Sequence, residues 1–208
     1  MLLVSTGCSE EKPSAYILDC DNLPEVELGY KHENDKEIPG IYKIHAFRID
    51  GLASGTAFTI QHNKKTYLVT AAHVMDRSYG VLLRYKGRGI SFRMIEGRQR
   101  SDVIVFRVEG YFPGHLKVDK LFYQKFESYE VYGYAGGKSL VKMKCALSPD
   151  FGYLNSSAFV EKGMSGGPLM KNGRVVGVTV AKLIEKSGMT YSRHIPISLV
   201  RKLIDQLP

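Results

Sequence analysis

The chain has 208 residues, of which 44% are apolar and 24% are charged, which is an ordinary globular composition rather than a disordered, collagen-like or disulfide-rich one. A chain of this length can bury enough surface to hold a core without a metal ion or a disulfide. Its three cysteines, Cys8, Cys20 and Cys145, are too few and too widely spaced for a disulfide framework or a zinc pattern, so we expect no metal site. No apolar run approaches the roughly 20 residues of a membrane-spanning helix.

The charge is unevenly distributed along the chain. The formal net charge is +8, but residues 1–37 hold nine acidic residues against three lysines, a net of −6, which leaves +14 on the remainder. A basic body can attract nucleic acid or an anionic membrane through its summed field. Because the lysines and arginines are scattered, with no block of five, we interpret them as a solvated basic surface and expect no nucleic-acid partner.

Residues 1–37 are predicted to form an acidic, poorly ordered leader. The leader begins like the end of a bacterial lipoprotein signal, in which the cysteine, here Cys8, is lipidated, although the apolar run is short and no basic segment precedes it. Two interpretations stay open: a lipoprotein tethered to a membrane of the bacterial cell envelope, and an unstructured N-terminus of a cytoplasmic or viral protein. The leader either holds the following domain off a surface or lies across it.

From residue 38 onward, short alternating or β-branched runs are separated by turn residues, a pattern typical of an all-β barrel or sandwich. The pair Asn172 and Gly173 predicts a hairpin with a type I′ turn. Ser198 is predicted to cap a terminal helix that runs to about Leu207. The predicted strands lie near residues 41–49, 55–60, 66–70, 81–85, 90–95, 103–108, 130–134, 141–147, 153–160, 168–171, 174–181 and 189–195.

Three motifs occur in a fixed order along this β-rich region. His73 follows a strand in Val-Thr-Ala-Ala-His-Val, Asp102 precedes a strand in Ser-Asp-Val-Ile, and Ser165 lies in the turn Gly-Met-Ser-Gly-Gly-Pro. Together they resemble the chymotrypsin-like (trypsin-fold) serine proteases, and most closely the disulfide-free bacterial DegP/HtrA-like branch. Further matching segments are residues 54–58, 133–137, 177–181 and 194–197, so the resemblance covers residues 38–208. No PDZ domain follows within this sequence.

The resemblance implies two antiparallel six-stranded β-barrels with a C-terminal helix, and a serine endopeptidase that needs no cofactor and acts on proteins or peptides. A serine hydroxyl is a poor nucleophile, so Ser165 needs His73 as a general base, and Asp102 would orient the imidazole through a buried carboxylate. The N–H groups of Gly163 and Ser165 occupy the positions of the oxyanion-hole donors. The reaction would pass through an acyl-enzyme intermediate. Asp76 is a rival to Asp102, but it follows His73 by only three residues.

The specificity pocket is matched by Phe159, Val160, Val180 and Ala181, which predicts cleavage after small or apolar residues. Lys162 and Lys182 favour acidic substrate residues as an alternative.

Two departures from the family are visible. Met164 replaces the aspartate that pairs with a newly cut N-terminus, and Val74 replaces a disulfide-forming cysteine. Two other functions stay open: a silent or latent binding module with this fold, awaiting an activating partner, and a basic nucleic-acid or membrane-surface adaptor.

The two interpretations of the leader differ in a measurable way. If the leader is a solvated tether, which we expect, a variant that begins at Glu37 cleaves substrate no faster than the full chain at low salt. A leader that lies across the basic domain through its negative charge predicts faster cleavage by the shortened chain, and the difference disappears at high salt because ions screen the attraction.

Overall fold

The computed structural model describes residues 37–119, 127–150, 152–184 and 190–208. Residues 1–36, which include Cys8 and Cys20, lie outside the described residues, so the predicted leader and lipidation site are not seen. The described residues form β1 (Ile41–Arg48), β2 (Gly51–His62), β3 (Lys65–Ala71), α1 (Ala72–Met75), β4 (Ser78–Tyr85), β5 (Arg88–Ile90), β6 (Phe92–Arg100), β7 (Val103–Gly110), β8 (Lys117–Val118), β9 (Tyr129–Ala135), β10 (Ser139–Cys145), β11 (Leu147–Asp150), β12 (Tyr153–Ser156), β13 (Pro168–Lys171), β14 (Arg174–Ile184), β15 (Thr190–Pro196) and α2 (Ile197–Ile204).

The strands form two curled sheets. The first has the order β5-β4-β1-β2-β3-β7-β6, and the second has the order β10-β9-β13-β14-β15-β12-β11, with β8 added beside β14 in parallel. The outer strands of the first sheet, β5 and β6, are separated in the chain only by Ser91, and those of the second, β10 and β11, only by Ala146. Each outer pair is therefore one bent strand, which joins the two edges of its sheet. With each bent strand counted once, and the short β8 left aside, each sheet has six strands. The predicted pair of six-stranded antiparallel barrels is therefore confirmed.

Most strand predictions agree with the structure, but several boundaries differ. The Asn172–Gly173 turn is confirmed by positive φ angles of 49° and 72° at both residues. The strand predicted over residues 153–160 ends at Ser156. The helix cap at Ser198 is wrong, because α2 begins one residue earlier, at Ile197, and its N-cap residue is Pro196, which makes no side-chain cap hydrogen bond. No helix among the described residues is long and apolar enough to cross a membrane.

The larger hydrophobic core is shared by both sheets and by α2. It joins residues of the first sheet, such as Phe58 and Val69, to Val178 of the second sheet and Leu203 of α2. A smaller core lies within the second sheet and contains Cys145, which is fully buried. The prediction that Cys145 is a core thiol is therefore confirmed, and burial raises its pKa to about 12.

A buried polar cluster surrounds His194 in the second sheet. Its Nε2 atom lies 2.9 Å from the hydroxyl oxygens of both Ser156 and Ser192, and its Nδ1 atom lies 3.1 Å from the hydroxyl of Thr179. The side chain is completely buried, and burial lowers the pKa of His194 to about 3 because the charged form loses its hydration. The folded protein therefore keeps this imidazole neutral.

This burial predicts a pH dependence of stability. Below an ordinary histidine pKa of 6.5 the unfolded chain takes up a proton that the folded chain does not, so the free energy of unfolding falls as the pH falls from 6.5 towards 3. We expect His194 to contribute a loss of about 1 kcal/mol per pH unit below pH ~6. Urea unfolding at several pH values measures it. His194→Gln removes this part of the slope, and the control His62→Gln, at a half-buried surface site, leaves it. Equal slopes in all three proteins would contradict the assignment.

Candidate active site

Antiparallel pairing of β3 with β7 brings His73 and Asp102 together. The last residue of β3, Ala71, pairs with the first residue of β7, Val103. Asp102 directly precedes β7, and His73 lies in the short helix α1 that follows β3. Two segments that are 29 residues apart in the chain therefore meet at one rim of the first barrel.

Asp102 holds the His73 segment through two hydrogen bonds to His73 and one to Ala72. Its Oδ2 atom lies 2.6 Å from Nδ1 of the imidazole, and its Oδ1 atom accepts the backbone N–H of His73 at 2.9 Å. The backbone carbonyl of Asp102 accepts the N–H of Ala72 at 3.0 Å. The Asp102 side chain is 36% exposed, so it lies at the barrel rim and is less buried than the resemblance implies. The rival Asp76 instead lies 3.9 Å from Nε of Arg77.

The turn that carries Ser165 is held by backbone hydrogen bonds from both sheets. The carbonyl of Ser165 accepts the N–H of Thr56 in β2 at 2.8 Å. The N–H of Gly166 donates to the carbonyl of Thr179 in β14 at 2.7 Å, and the N–H of Thr179 donates to Gly167 at 2.9 Å. Gly166 has a φ of +87°, and a Cβ there would overlap the Thr56 carbonyl and the hydroxyl of Thr70. Only glycine fits this close approach of the two sheets.

Thr56 also braces the neighbouring turn at Gly163. Its completely buried hydroxyl donates to the carbonyl of Gly163 at 2.8 Å and accepts the N–H of Tyr134 at 2.9 Å. Gly163 has a φ of +95°, and a Cβ there would overlap the carbonyl of Tyr134 and lie 2.7 Å from the nitrogen of Gly137. The backbone carbonyl of Gly163 is therefore held in place by the Thr56 side chain, which belongs to the first barrel.

These bonds leave two N–H groups unused beside the Ser165 side chain. The carbonyl of Lys162 accepts the N–H of Gly136 at 2.8 Å, and the peptide bond that follows it is trans, so the N–H of Gly163 points the opposite way. Within residues 37–119, 127–150, 152–184 and 190–208, the N–H groups of Gly163 and Ser165 have no protein acceptor. Two neighbouring free donors are suited to binding a negative oxygen.

His73, Gly163 and Ser165 line a single surface cleft of about 300 Å³. The structure thus brings together the residues predicted for the base, the nucleophile and the oxyanion donors, with Asp102 bonded behind His73. The Ser165 hydroxyl makes no hydrogen bond within the described part of the chain. Catalytic hydrogen bonds are often long or poorly aligned in a ligand-free enzyme and tighten when substrate binds.

The four residues predicted for the specificity pocket do not line the cleft that holds His73 and Ser165. Val160 and Val180 are each 4% exposed and belong to the hydrophobic cores, whereas Phe159 is 42% exposed. The ammonium group of Lys182 lies 3.8 Å from the centre of the Phe159 ring, in a cation–π contact. Ala181 is half-buried against the larger core. Phe159 and Ala181 thus offer more surface to a substrate than the two valines, and the apolar pocket stays a prediction.

One side chain at the site was not predicted from the sequence. Arg48, at the end of β1, donates from Nη2 to the backbone carbonyls of His73 and Val74, the latter at 3.2 Å. It also lines the cleft. Arg48 lies in no recognisable motif and is 25 residues from His73, so only the pairing of β1 with its neighbours reveals the contact.

The comparison with solved structures finds proteins of similar fold. No protein-family model matches the chain, and no curated protein matches it in sequence. Among solved structures it is similar to the Rv3671c protease from M. tuberculosis in its active form, with a TM-score of 0.69 and 22% identity over 80% of each chain. It is also similar to the serine endoprotease from Yersinia pestis, with a TM-score of 0.69, 17% identity and coverage of 81% of this chain and 62% of that one.

A third similar structure is the HtrA-type protease AlgW with a tripeptide, with a TM-score of 0.67, 17% identity and coverage of 80% of this chain and 59% of the other. The chain thus spans about three fifths of the length of the latter two proteins. At these identities the similarity shows the fold, which is the chymotrypsin-like fold of HtrA-type serine proteases, as the sequence motifs predicted.

The bonds of Thr56 give a testable prediction. Thr56→Val keeps the shape of the side chain but leaves the Gly163 carbonyl and the Tyr134 N–H unpaired in a buried place, which costs about 2–4 kcal/mol of unfolding free energy. Thr56→Ser keeps the hydroxyl and is expected to cost less than half as much. Urea unfolding at neutral pH measures both variants, and equal stability of the valine variant and the wild type would contradict the bracing role.

Proposed function

We propose that the chain is a serine endopeptidase that hydrolyses peptide bonds through Ser165, His73 and Asp102. The observation that carries the proposal is the 2.6 Å contact between Nδ1 of His73 and Oδ2 of Asp102 at the cleft that also holds Ser165 and the free N–H groups. A histidine held by a carboxylate, a serine at the same cleft and unpaired N–H donors form the arrangement required for acyl transfer. The similar solved structures include a protease and a serine endoprotease, which supports the same chemistry.

Asp102 sets the proton on the imidazole. A carboxylate beside Nδ1 accepts a hydrogen bond, so it favours the tautomer with the proton on Nδ1 and leaves Nε2 with a free lone pair. Nε2 then takes the proton of the Ser165 hydroxyl as the serine oxygen attacks the substrate carbonyl. The imidazolium that forms is stabilised by the charge of Asp102.

The tetrahedral intermediate carries its negative charge on the former carbonyl oxygen. The N–H groups of Gly163 and Ser165 donate to that oxygen in the proposed mechanism, and the loss of one such donor typically raises the barrier by about 3–4 kcal/mol. His73 returns the proton to the nitrogen of the leaving amine as the peptide bond breaks, which leaves an acyl group on Ser165. Water, deprotonated by the same imidazole, attacks the acyl-enzyme and releases the acid product.

The substrate in this proposal is a protein or peptide. Of the four residues predicted for the acyl side, Phe159 and Ala181 provide most of the accessible surface, and Val160 and Val180 lie nearly buried. An apolar surface of this kind favours cleavage after a small or apolar residue. Lys182 places a positive charge above the Phe159 ring, which supports the alternative of an acidic residue there.

Labelling with a fluorophosphonate probe tests the proposed function. The probe traps an activated serine, so the wild type is expected to be labelled and Ser165→Ala and His73→Ala are not. Asp102→Asn is expected to slow peptide cleavage by roughly 10⁴-fold, because an amide can hold the wrong tautomer. Ser139→Ala, at an exposed serine outside the cleft, serves as the control and keeps the label. A folded wild type that is never labelled would instead favour a latent enzyme or a binding module.

A further inference from the structure

The cleft that holds Ser165 is lined by segments other than the predicted acyl-side residues. Its walls come from the end of β1, the start of β2, the His73 helix and the segment before Ser165. None of the acyl-side residues 159, 160, 180 and 181 lines this cleft. A peptide bound for hydrolysis extends from the serine in two directions, one for the acyl part and one for the leaving part. The acyl-side surface binds one part of the peptide, so we expect the cleft to bind the other part.

The position of His73 indicates which part that is. In the proposed mechanism His73 returns a proton to the leaving amine, so the leaving part must lie on the imidazole side of the reacting carbonyl. His73 and Val74 line the cleft. The cleft therefore faces the residues that follow the cleaved bond.

The charges that line this cleft are mostly positive. Its lining includes the side chains of Arg48 and Lys162 and one carboxylate, Asp50, which lies in the turn between β1 and β2. The remaining lining residues, apart from His73, are uncharged: Gly51, Leu52, Ala53, Ser54, Val74, Gly163 and Ser165. An excess of cationic groups in a concave surface raises the local potential and attracts anionic groups.

Arg48 is fixed in place before any substrate binds. Its Nη2 atom donates to the carbonyls of His73 and Val74, so the guanidinium group has lost its freedom to rotate away. Its Nη1 atom makes no hydrogen bond within the described part of the chain and, unlike the buried Nε atom, is accessible to water. A preorganised guanidinium with a free, accessible N–H group is suited to a charge-assisted hydrogen bond with a carboxylate.

We propose that this cleft is a subsite for an acidic side chain immediately after the cleaved bond, with Arg48 as its fixed cation and Lys162 as its mobile one. The inference rests on the proposed endopeptidase function and adds the substrate class on the leaving side. It differs from a preference at the acyl side, where Lys182 lies on the Phe159 ring. Substrates of this enzyme would thus combine an apolar residue before the bond with aspartate or glutamate after it.

Two internally quenched peptides that differ only in glutamate or glutamine after the cleaved bond test the subsite. For the full-length wild type we expect the kcat/KM for the glutamate peptide to exceed that for the glutamine peptide about five- to tenfold at low salt. The ratio falls towards one at high salt because ions screen the attraction. Mass spectrometry of the products confirms that both peptides are cut at the same bond.

Variants assign the preference to the two cations. Lys162→Met and Arg48→Met are each expected to lower the glutamate-to-glutamine ratio at least twofold, and Arg48→Lys to keep part of it. A loss of His73 positioning in an Arg48 variant slows both peptides alike, so it cancels in the ratio. Lys64→Met, which removes the same charge in the turn between β2 and β3, is the matched control and leaves the ratio unchanged.

The outcomes separate the subsite from the proposed function. Cleavage of both peptides at equal rates by the wild type overturns the subsite and leaves the endopeptidase function intact. A ratio that is unchanged in Lys162→Met and Arg48→Met also overturns it. Failure to cleave either peptide, together with no fluorophosphonate labelling of Ser165, overturns the proposed function and the subsite with it.

Discussion

The active-site arrangement depends on the hydrogen bonds that hold the Ser165 turn between the two sheets. The carbonyl of Ser165 accepts from Thr56 of the first sheet, and the N–H of Gly166 donates to Thr179 of the second. His73 and Asp102 belong to the first barrel, whereas Ser165 follows the second-sheet strand β12 and precedes β13. Ser165, the proposed nucleophile, therefore shares a cleft with His73, the proposed base, only as long as the two barrels keep this register.

Packing maintains this register between the two barrels. The described residues contain a single cysteine, Cys145, which is a free buried thiol, so no disulfide links the barrels within the described part of the chain. The larger hydrophobic core includes residues of both sheets and of α2, so separation of the barrels would expose it to water. Val74 directly follows His73 in α1. A Cβ on Gly55 would lie 2.8 Å from both methyl groups of Val74, so the histidine helix packs directly on β2. Arg48 adds hydrogen bonds to the same helix.

The sequence was sufficient for features that depend on local signals. Alternation of apolar and polar residues predicted most strands, and Asn172 with Gly173 predicted the hairpin turn, since both residues adopt positive φ angles there. The strand breaks at Ser91 and Ala146 were not predicted, because they arise where one strand bends to pair with two different neighbours. The cap at Ser198 was wrong because the chain already turns into the helix at Pro196, directly after β15.

At the active site, the short motifs identified the residues that the structure brings together, but they did not identify the groups that support them. Thr56 lies within a segment that matches the family, yet its bond to Gly163 spans 107 residues of sequence, and no local pattern contains that information. Arg48 donates to the backbone carbonyl of His73. Every residue has a backbone carbonyl, so the residue type at position 73 does not indicate this contact. Contacts of this kind become visible only when the strand order is known.

Thr56 makes hydrogen bonds to both Ser165 and Gly163 in the candidate site. Its N–H donates to the carbonyl of Ser165, and its hydroxyl donates to the carbonyl of Gly163, so one residue of β2 holds the backbone at both the proposed nucleophile and a proposed oxyanion donor. A shift of β2 relative to the second sheet would change both bonds together. Because β2 also pairs along its length with β1, which ends at Arg48, the leaving-side cleft would move with it. The proposed nucleophile, oxyanion donors and leaving-side subsite are thus coupled through one strand, and the position of that strand sets whether the candidate site is assembled.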